Sequence, residues 1–251
     1  MAAPKDDSTN RSLERGIEIL RAFRPGVDAL GNGELAERTG IPKATISRLT
    51  RTLVECGLLE PVPHERAYRL AGPVLSFAHA MRMGSPVLRV LAPLMRRESA
   101  KRRLNVGLAA PDRAMMVYLE SVRYAARPSL RRIVAGQQVP VELTSLGRAF
   151  LASLSSTERQ DFFACHSRAS GRVLKEVEAS IREVETHGYC AVSWQPGVLA
   201  VAAPLMVDRF PTYVINLSTQ DIEQTPAIGN KLGTYLLDFV AECAEALREI
   251  G

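Results

Sequence analysis

Residues 33–60 have the sequence GELAERTGIPKATISRLTRTLVECGLLE, a pattern typical of two short helices joined by a glycine turn. Gly40 is predicted to end the first helix, because glycine adopts the left-handed conformation of a helix C-terminus without steric strain. Pro42 stands where the second helix begins, and its fixed φ suits a first turn. The second helix is predicted to run from Lys43 to about Cys56.

The second helix has one apolar face and one basic, polar face. Ile46, Leu49 and Leu53 recur at helical spacing and are predicted to face inward. Between Arg38 and Val54 the chain has four basic residues and no acidic residue. A helix with such a face, presented by a short preceding helix, suits the major groove of DNA. The helix residues predicted to meet DNA are Lys43, Ala44, Thr45, Ser47, Arg48 and Arg51.

Two amphipathic helices and a glycine turn also occur in all-α domains that bind no DNA, so the flanking sequence matters. Strands are predicted at 58–60 and 67–70 on either side of a turn. Such a hairpin is the wing of a winged helix-turn-helix, and Arg66 and Arg69 are predicted to contact the phosphate backbone. A further helix is predicted at 11–23. Its side chains predicted to cover the pair are Ile17, Leu20 and Phe23.

Proline, glycine and the hydrophobic periods divide the chain into three parts. We predict a winged helix-turn-helix at 9–71, a linker helix at 72–85 and a second domain at 86–251. Strands of the second domain are predicted at 104–110, 114–122, 129–134, 189–193, 199–207 and 212–218. Its helices are predicted at 87–101, 144–154, 157–164, 171–187 and 225–249. The fold class is therefore α+β, with a mainly antiparallel sheet packed against helices.

The order of these segments resembles the IclR family of bacterial transcription regulators. The resemblance begins in RSLERGIEILRAF (11–23), ELAERTGIPKATISRLTRTLVECGLLE (34–60) and AYRL (67–70). It continues in MMVYLESV (115–122), ELTSLGRAFLA (142–152), HGYCAV (187–192) and PGVLAVAAPL (196–205). The resemblance implies a GAF-like effector-binding domain after the linker helix, and DNA binding as a homodimer or a dimer of dimers. The implied partners are double-stranded operator DNA and a small organic or aromatic acid, and the implied targets are catabolic genes.

Composition agrees with a two-domain protein of the cytoplasm. The chain has 251 residues, of which 46% are hydrophobic, enough for two separate cores. The first residues are polar, unlike a signal peptide, and no apolar run has the length of a membrane span. The four cysteines, at positions 56, 165, 190 and 243, have no paired spacing, which is typical of a reduced compartment.

The net charge of +5 is unevenly distributed. Residues 73–132 have 12 basic and 3 acidic side chains, a net charge of +9, whereas residues 133–251 have a net charge of −5. Three interpretations stay open: a solvated helix surface, extra attraction to DNA phosphates, or an arginine that reaches the ligand pocket. The basic residues concerned are Arg96, Arg97, Lys101, Arg102, Arg103, Arg123, Arg127, Arg131 and Arg132.

A ligand site is predicted in the second domain. Residues 144–148 (TSLGR) combine hydroxyl groups with the amides of a helix start, where the helix dipole favours an anion. The same segment matches the family's loop near the ligand. The residues assigned to the ligand are Thr144, Ser145, Leu146 and Gly147, and by resemblance Tyr118, Cys190, Ser193, Val198, Ala200, Asn216 and Ser218. Each of them could instead be an ordinary core or turn residue.

One departure from the family pattern concerns residues 190–193. Many members have acidic residues there, whereas this chain has Cys-Ala-Val-Ser. A pocket without those carboxylates favours an anion or a larger apolar ligand.

The sequence offers little support for catalysis. The four histidines have no serine, cysteine or carboxylate at a catalytic spacing. Cys165 and His166 are adjacent without a partner motif, and no phosphate-binding glycine loop is present. We therefore predict no enzyme activity, no metal and no cofactor. The alternative is a DNA-tethered enzyme or an assembly scaffold whose second domain senses no ligand.

Overall fold

The computed structural model describes residues 10–124, 134–167, 169–220 and 226–250. The chain divides into two units, residues 1–84 and 85–251. The strand predicted at 129–134 falls outside the described residues except for its last position. Three residues of the arginine-rich set also lie outside them, namely Arg127, Arg131 and Arg132.

The first unit combines helices with a small antiparallel sheet. Its elements are α1 (Arg11–Arg21), β1 (Leu30–Gly31), α2 (Asn32–Thr39), α3 (Lys43–Glu55), β2 (Leu59–Val62), β3 (Ala67–Leu70) and α4 (Pro73–Gly84). The strand order is β1-β3-β2, so the predicted hairpin pairs through β2 and β3, and β1 adds a third strand. The sequence did not indicate β1, because two residues are too few to show alternation.

The connection between α2 and α3 follows from Gly40 and Pro42. Gly40 has φ of 69° and its amide donates to the Ala36 carbonyl, which ends α2. Pro42 is the residue that caps α3, directly before its first helical residue, Lys43, as predicted. Its carbonyl oxygen accepts the amides of Thr45 (2.9 Å) and Ile46 (3.0 Å), so the helix begins without a side-chain cap.

Apolar side chains of α1, α2 and α3 form the core of this unit. The three residues predicted to face inward on α3, Ile46, Leu49 and Leu53, are all buried. Of the three residues predicted to cover the helix pair, Leu20 and Phe23 pack against the core, whereas the prediction for Ile17 was wrong: Ile17 is 44% exposed and Ile19 is fully buried. Both isoleucines fit an amphipathic pattern, and the packing of α1 against α3 decides which one is enclosed.

The second unit consists of a six-stranded antiparallel sheet and five helices among the residues that the structure describes. The strands are β4 (Asn105–Asp112), β5 (Met115–Val122), β6 (Gln138–Pro140), β7 (Cys190–Gln195), β8 (Val198–Leu205) and β9 (Tyr213–Gln220). The helices are α5 (Pro86–Arg102), α6 (Ser145–Ser153), α7 (Ser156–His166), α8 (Gly171–His187) and α9 (Pro226–Arg248). The strand order is β6-β5-β4-β9-β8-β7. The predicted α+β class is confirmed.

Helices cover both faces of this sheet, and alternation along each strand separates the two cores. On β9, Ile215 and Leu217 pack in the core that includes Leu91 of α5 and Phe239 of α9. Val214 instead packs in the core of α6 and α8. Asn216 and Ser218 alternate with Ile215 and Leu217, so their side chains are on the α6 and α8 face.

Candidate DNA interface and ligand cavity

Helix α3 exposes the polar face that the sequence predicted. Lys43, Ala44, Ser47, Arg48 and Arg51 are exposed, and Thr45 is half-buried. The first turn of α3 has no acidic residue. The face is therefore a cationic surface on a helix whose opposite side is held by the core.

The fourth basic residue of this region has a structural contact. Arg38, at the end of α2, donates from its guanidinium to the Ala22 carbonyl just after α1, at 3.1 Å. This hydrogen bond ties α2 to the end of α1. The positive charge presented by α3 itself therefore comes from Lys43, Arg48 and Arg51.

The two cations of the predicted wing differ in their surroundings. Arg69 lies opposite Glu60 in the register of β2 and β3, and the two side chains form an ion pair. Arg66 is exposed in the hairpin turn, with φ of 48°. An unusual left-handed backbone at the tip thus presents Arg66 outward, while the charge of Arg69 is already shared with Glu60.

Helix α4 buries none of its residues. Four large apolar side chains of this helix are at least half exposed: Leu75, Phe77, Met81 and Met83. An exposed apolar surface of this kind is typical of a contact with another protein.

Among the described helices none is both long and apolar enough to cross a bilayer.

A cavity opens on the α6 and α8 face of the sheet and contains about 460 Å³ of space, part of it open to solvent. Its lining consists of Asn105, Val106, Gly107, Tyr118, Ser121, Arg123, Gln195, Val198, Asn216 and Ser218. Four of these were assigned to the ligand from the sequence, namely Tyr118, Val198, Asn216 and Ser218.

The remaining predicted ligand residues do not line this cavity. They are Thr144, Ser145, Leu146, Gly147, Cys190, Ser193 and Ala200. Their assignment to a ligand stays a prediction. Sequence reasoning missed Asn105, Gly107, Ser121 and Gln195 altogether, because polar residues and glycine on strands have no distinguishing motif.

The start of α6 is a hydrogen-bonded frame around buried residues. The Thr144 hydroxyl donates to the Pro140 carbonyl (2.8 Å) and accepts the Gly147 amide (3.3 Å), so that amide is not free for an anion. The Cys190 thiol donates to the Ser145 carbonyl at 3.6 Å. Burial raises the pKa of this thiol to about 12.

Arg148 is buried, and its guanidinium connects α6 to α8. Its Nε donates to the Glu142 carbonyl (2.9 Å), and its two terminal nitrogens donate to the Ser180 hydroxyl (3.2 Å) and the Glu176 carboxylate (3.2 Å). The contact with Arg172 and that with Arg148 lower the pKa of Glu176. Arg148 therefore holds α6 against α8, and its guanidinium is occupied by contacts within the protein rather than by a ligand.

Tyr118 and Asn216 meet across strand β4 at the inner part of the cavity. Both are buried, each with 5% of its surface exposed. Burial raises the pKa of Tyr118, and a hydrogen bond with the Asn216 amide opposes that rise. Gly107 lies between them: a Cβ there would be 2.3 Å from Asn216 Oδ1 and 2.5 Å from Tyr118 Cε1. Only glycine leaves room for both side chains.

The described lining residues of the cavity include a positive charge and no negative charge. Arg123 directly follows β5 and is the one cationic side chain among the described lining residues, and no acidic side chain is among them. This arginine belongs to the arginine-rich set of the sequence. Within the described ranges, no group of three or more metal-ligating side chains occurs.

Comparison with known proteins identifies the class. The IclR helix-turn-helix domain matches residues 12–63. The chain is 34% identical over 186 residues to the HTH-type transcriptional regulator TsaQ1/TsaQ2 of Comamonas testosteroni. That match covers 71% of this chain and 66% of the regulator, about two thirds of its length.

Solved structures extend the likeness to the whole chain. An IclR family transcriptional regulator from Brucella abortus is 30% identical with a TM-score of 0.85, over 98% of this chain and 96% of that one. An IclR homolog from Microbacterium hydrocarbonoxydans, complexed with 4-hydroxybenzoate, has the same fold at 20% identity and a TM-score of 0.70, over 95% of this chain and 99% of that one.

The helix-turn-helix unit and the α+β unit together define a DNA-binding transcription regulator. The chain belongs to the IclR family of such regulators.

Proposed function

We propose that this IclR-family regulator changes its affinity for an operator when a small organic acid binds in the cavity of its second unit. The observation that carries the proposal is a cavity with one cation, Arg123, and no acid among its described lining residues. Charge-assisted hydrogen bonds from a guanidinium to a carboxylate are roughly twice as strong as neutral ones. The apolar body of the acid would lie against Val198.

The similar protein from Microbacterium hydrocarbonoxydans supports an aromatic acid as one member of this ligand class, because it is complexed with 4-hydroxybenzoate. A regulator that responds to such acids as effectors would control catabolic genes. The segment Thr144 to Gly147 does not line this cavity, and its contact with a ligand stays a prediction. Ser145 is buried, so a charged residue there would disturb folding as well as binding.

On the DNA side, we propose that α3 enters the major groove and that Arg48 and Arg51 contact base edges, with Lys43 and Thr45 at the groove entrance. The exposed apolar side chains of α4 support association of two chains, Leu75 and Phe77 among them. A homodimer or a dimer of dimers would match a pseudo-palindromic operator. In this proposal residues 9–71 bind DNA, residues 72–85 form a helix that links the two domains, and residues 86–251 bind the acid. The protein would act in the cytoplasm.

Calorimetry of the full chain tests the acid site. We expect 4-hydroxybenzoate or an aliphatic acid of similar length to bind the native protein, and Arg123→Gln to weaken that binding about tenfold, through loss of a charge-assisted contact. Arg182→Gln changes an exposed arginine of α8 outside the cavity and is the matched control. Equal binding by Arg123→Gln and the control would remove Arg123 from the site.

The same titration separates a sensor from the alternatives. A sensor releases the acid unchanged, which chromatography of the mixture detects. Conversion of the acid would indicate a DNA-tethered enzyme. Absence of binding for every acid tested would favour an assembly scaffold.

A further inference from the structure

We propose that the cavity selects acids that bear a hydroxyl group at the end opposite the carboxylate, and that Asn216 and Tyr118 recognise this hydroxyl. The inference rests on the proposed function, since it assigns the chemical class of the same acid. It concerns the inner end of the cavity, whereas the proposed function depends on Arg123.

The first observation is an unpartnered acceptor. Asn216 is 5% exposed and lines the cavity. Its Oδ1 has no hydrogen-bond donor among the residues that the structure describes. A buried acceptor without a donor is destabilising, so a ligand that supplies the donor is favoured over one that does not.

The second observation is the chemistry of the neighbouring side chain. Burial raises the pKa of Tyr118 by more than the hydrogen bond donated by the Asn216 side-chain amide lowers it, so the phenol stays protonated. A protonated phenol offers an O–H donor as well as an oxygen acceptor. A ligand hydroxyl can donate to Asn216 Oδ1 and accept from Tyr118, whereas a methyl group or hydrogen atom can do neither.

Gly107 fixes this pair in place. Gly107 pairs with Asn216 in the register of β4 and β9, and its missing side chain is the space that Asn216 Oδ1 and the Tyr118 ring occupy. Recognition by two buried polar groups gives selectivity, because both lose a hydrogen-bond partner when the ligand lacks the hydroxyl.

The position of the hydroxyl follows from the strand. Tyr118 lies within β5, and Arg123 directly follows its last residue, Val122. Four residues lie between Tyr118 and Arg123, so the hydroxyl and carboxylate contacts are at different positions along the strand. An elongated acid with the hydroxyl and the carboxylate at opposite ends fits these two contacts. An acid in which the hydroxyl and the carboxylate are adjacent does not.

Three acids of nearly equal size test the inference on the full-length protein: 4-hydroxybenzoate, 2-hydroxybenzoate and benzoate. We expect the dissociation constant of 4-hydroxybenzoate to be roughly 10- to 100-fold below those of the other two. The aliphatic pair 6-hydroxyhexanoate and hexanoate repeats the comparison without an aromatic ring. Calorimetry measures all five.

Two variants assign the preference to its residues. Asn216→Leu and Tyr118→Phe should each reduce the preference for the terminal hydroxyl, taken as the ratio of the two dissociation constants, to less than threefold. Tyr118→Phe keeps the ring and its packing, so it stays informative if Asn216→Leu does not fold. Asn230→Leu changes an exposed asparagine of α9 and should keep the preference.

The outcomes separate the two proposals. Equal affinities for the hydroxylated and unhydroxylated acids, with all weakened by Arg123→Gln, would overturn this inference and leave the proposed function intact. An unchanged hydroxyl preference in Asn216→Leu and Tyr118→Phe would also overturn it. If none of the five acids binds, both the inference and the proposed function fail.

Discussion

The DNA-binding face of α3 and the ligand cavity use polar groups in opposite surroundings. On α3 the functional side chains are exposed, and the folded state does not depend on them because the core lies on the other side of the helix. In the cavity, Tyr118 and Asn216 are buried between strands. Exposed charges act through screened, long-range attraction, whereas buried groups must be satisfied at close range. Substitutions should therefore separate binding from folding on α3 and couple them in the second unit.

The largest effect is expected at Gly147, where a side chain has no space. A Cβ on Gly147 would lie 2.1 Å from the Val141 carbonyl oxygen and 2.2 Å from Val141 Cα, and backbone atoms cannot move aside as a flexible side chain can. We expect Gly147→Ala to lower the free energy of unfolding of the second unit by about 3 kcal/mol. Thermal unfolding followed by circular dichroism measures the change.

Gly229→Ala in α9 is the matched control, since a Cβ there meets no atom within 4 Å. That substitution should be neutral or slightly stabilising, because alanine is the better helix former. Equal unfolding temperatures for the two variants would contradict the packing described around α6.

The next largest effect is expected at Arg48. A bidentate contact between arginine and guanine contributes roughly 1–3 kcal/mol of discrimination, so Arg48→Ala should weaken binding to a selected operator about 10- to 100-fold. The unfolding temperature should not change, because Arg48 is exposed. Fluorescence anisotropy with an operator enriched from random duplexes provides the affinity. Arg11→Ala, an exposed arginine of α1, is the control, and a loss of equal size there would show that any surface cation suffices.

A smaller effect separates the two cations of the wing. Arg66→Gln should reduce the slope of log affinity against log salt by about 1, because one phosphate contact is lost. Arg69→Gln should reduce it less, since Glu60 already neutralises part of that charge. The effect should be the same for specific and random DNA. A larger change for Arg69→Gln, or a change confined to the specific operator, would contradict a phosphate contact at the tip of the wing.

The smallest effect is expected from alkylation, which compares two exposed cysteines with two buried ones. Cys56, after α3, and Cys165 are exposed, whereas Cys190 and Cys243 are buried, and burial raises the pKa of each buried thiol to about 12. Only the thiolate is nucleophilic, so iodoacetamide at pH 8 should alkylate the two exposed cysteines and spare the buried ones. Mass spectrometry of the intact protein counts the added groups. Four groups on the folded chain would contradict the burial of Cys190 and Cys243.

Local features of the fold were predictable because they depend on neighbouring residues. Helix α8 has the predicted bounds, since its apolar residues recur every three or four positions and Gly188 ends it with φ of 82°. Strand β6 was missed for the same reason as β1, because three residues carry too little pattern. On α1, the choice between Ile17 and Ile19 depended on tertiary packing, which periodicity alone does not define.

The cavity was predictable only in part, because it is assembled from distant segments. Gly107, Tyr118 and Asn216 belong to β4, β5 and β9, and the register that brings Gly107 opposite Asn216 joins positions more than a hundred residues apart. Family resemblance indicated Tyr118 and Asn216, yet the role of Gly107 depends on the space between them. Arg123 was one of many arginines in the sequence, and only the fold distinguishes it from its neighbours.

We expect acid binding in the cavity and operator binding by α3 to be coupled. The direct measurement is the operator affinity of the full-length protein with and without saturating 4-hydroxybenzoate, together with the affinity for 4-hydroxybenzoate with and without operator. Coupling predicts that both affinities change by the same factor, about 5- to 150-fold, because the linkage is reciprocal. Arg123→Gln should reduce the factor measured at the same acid concentration. An operator affinity that stays constant while 4-hydroxybenzoate saturates the native protein would contradict the account.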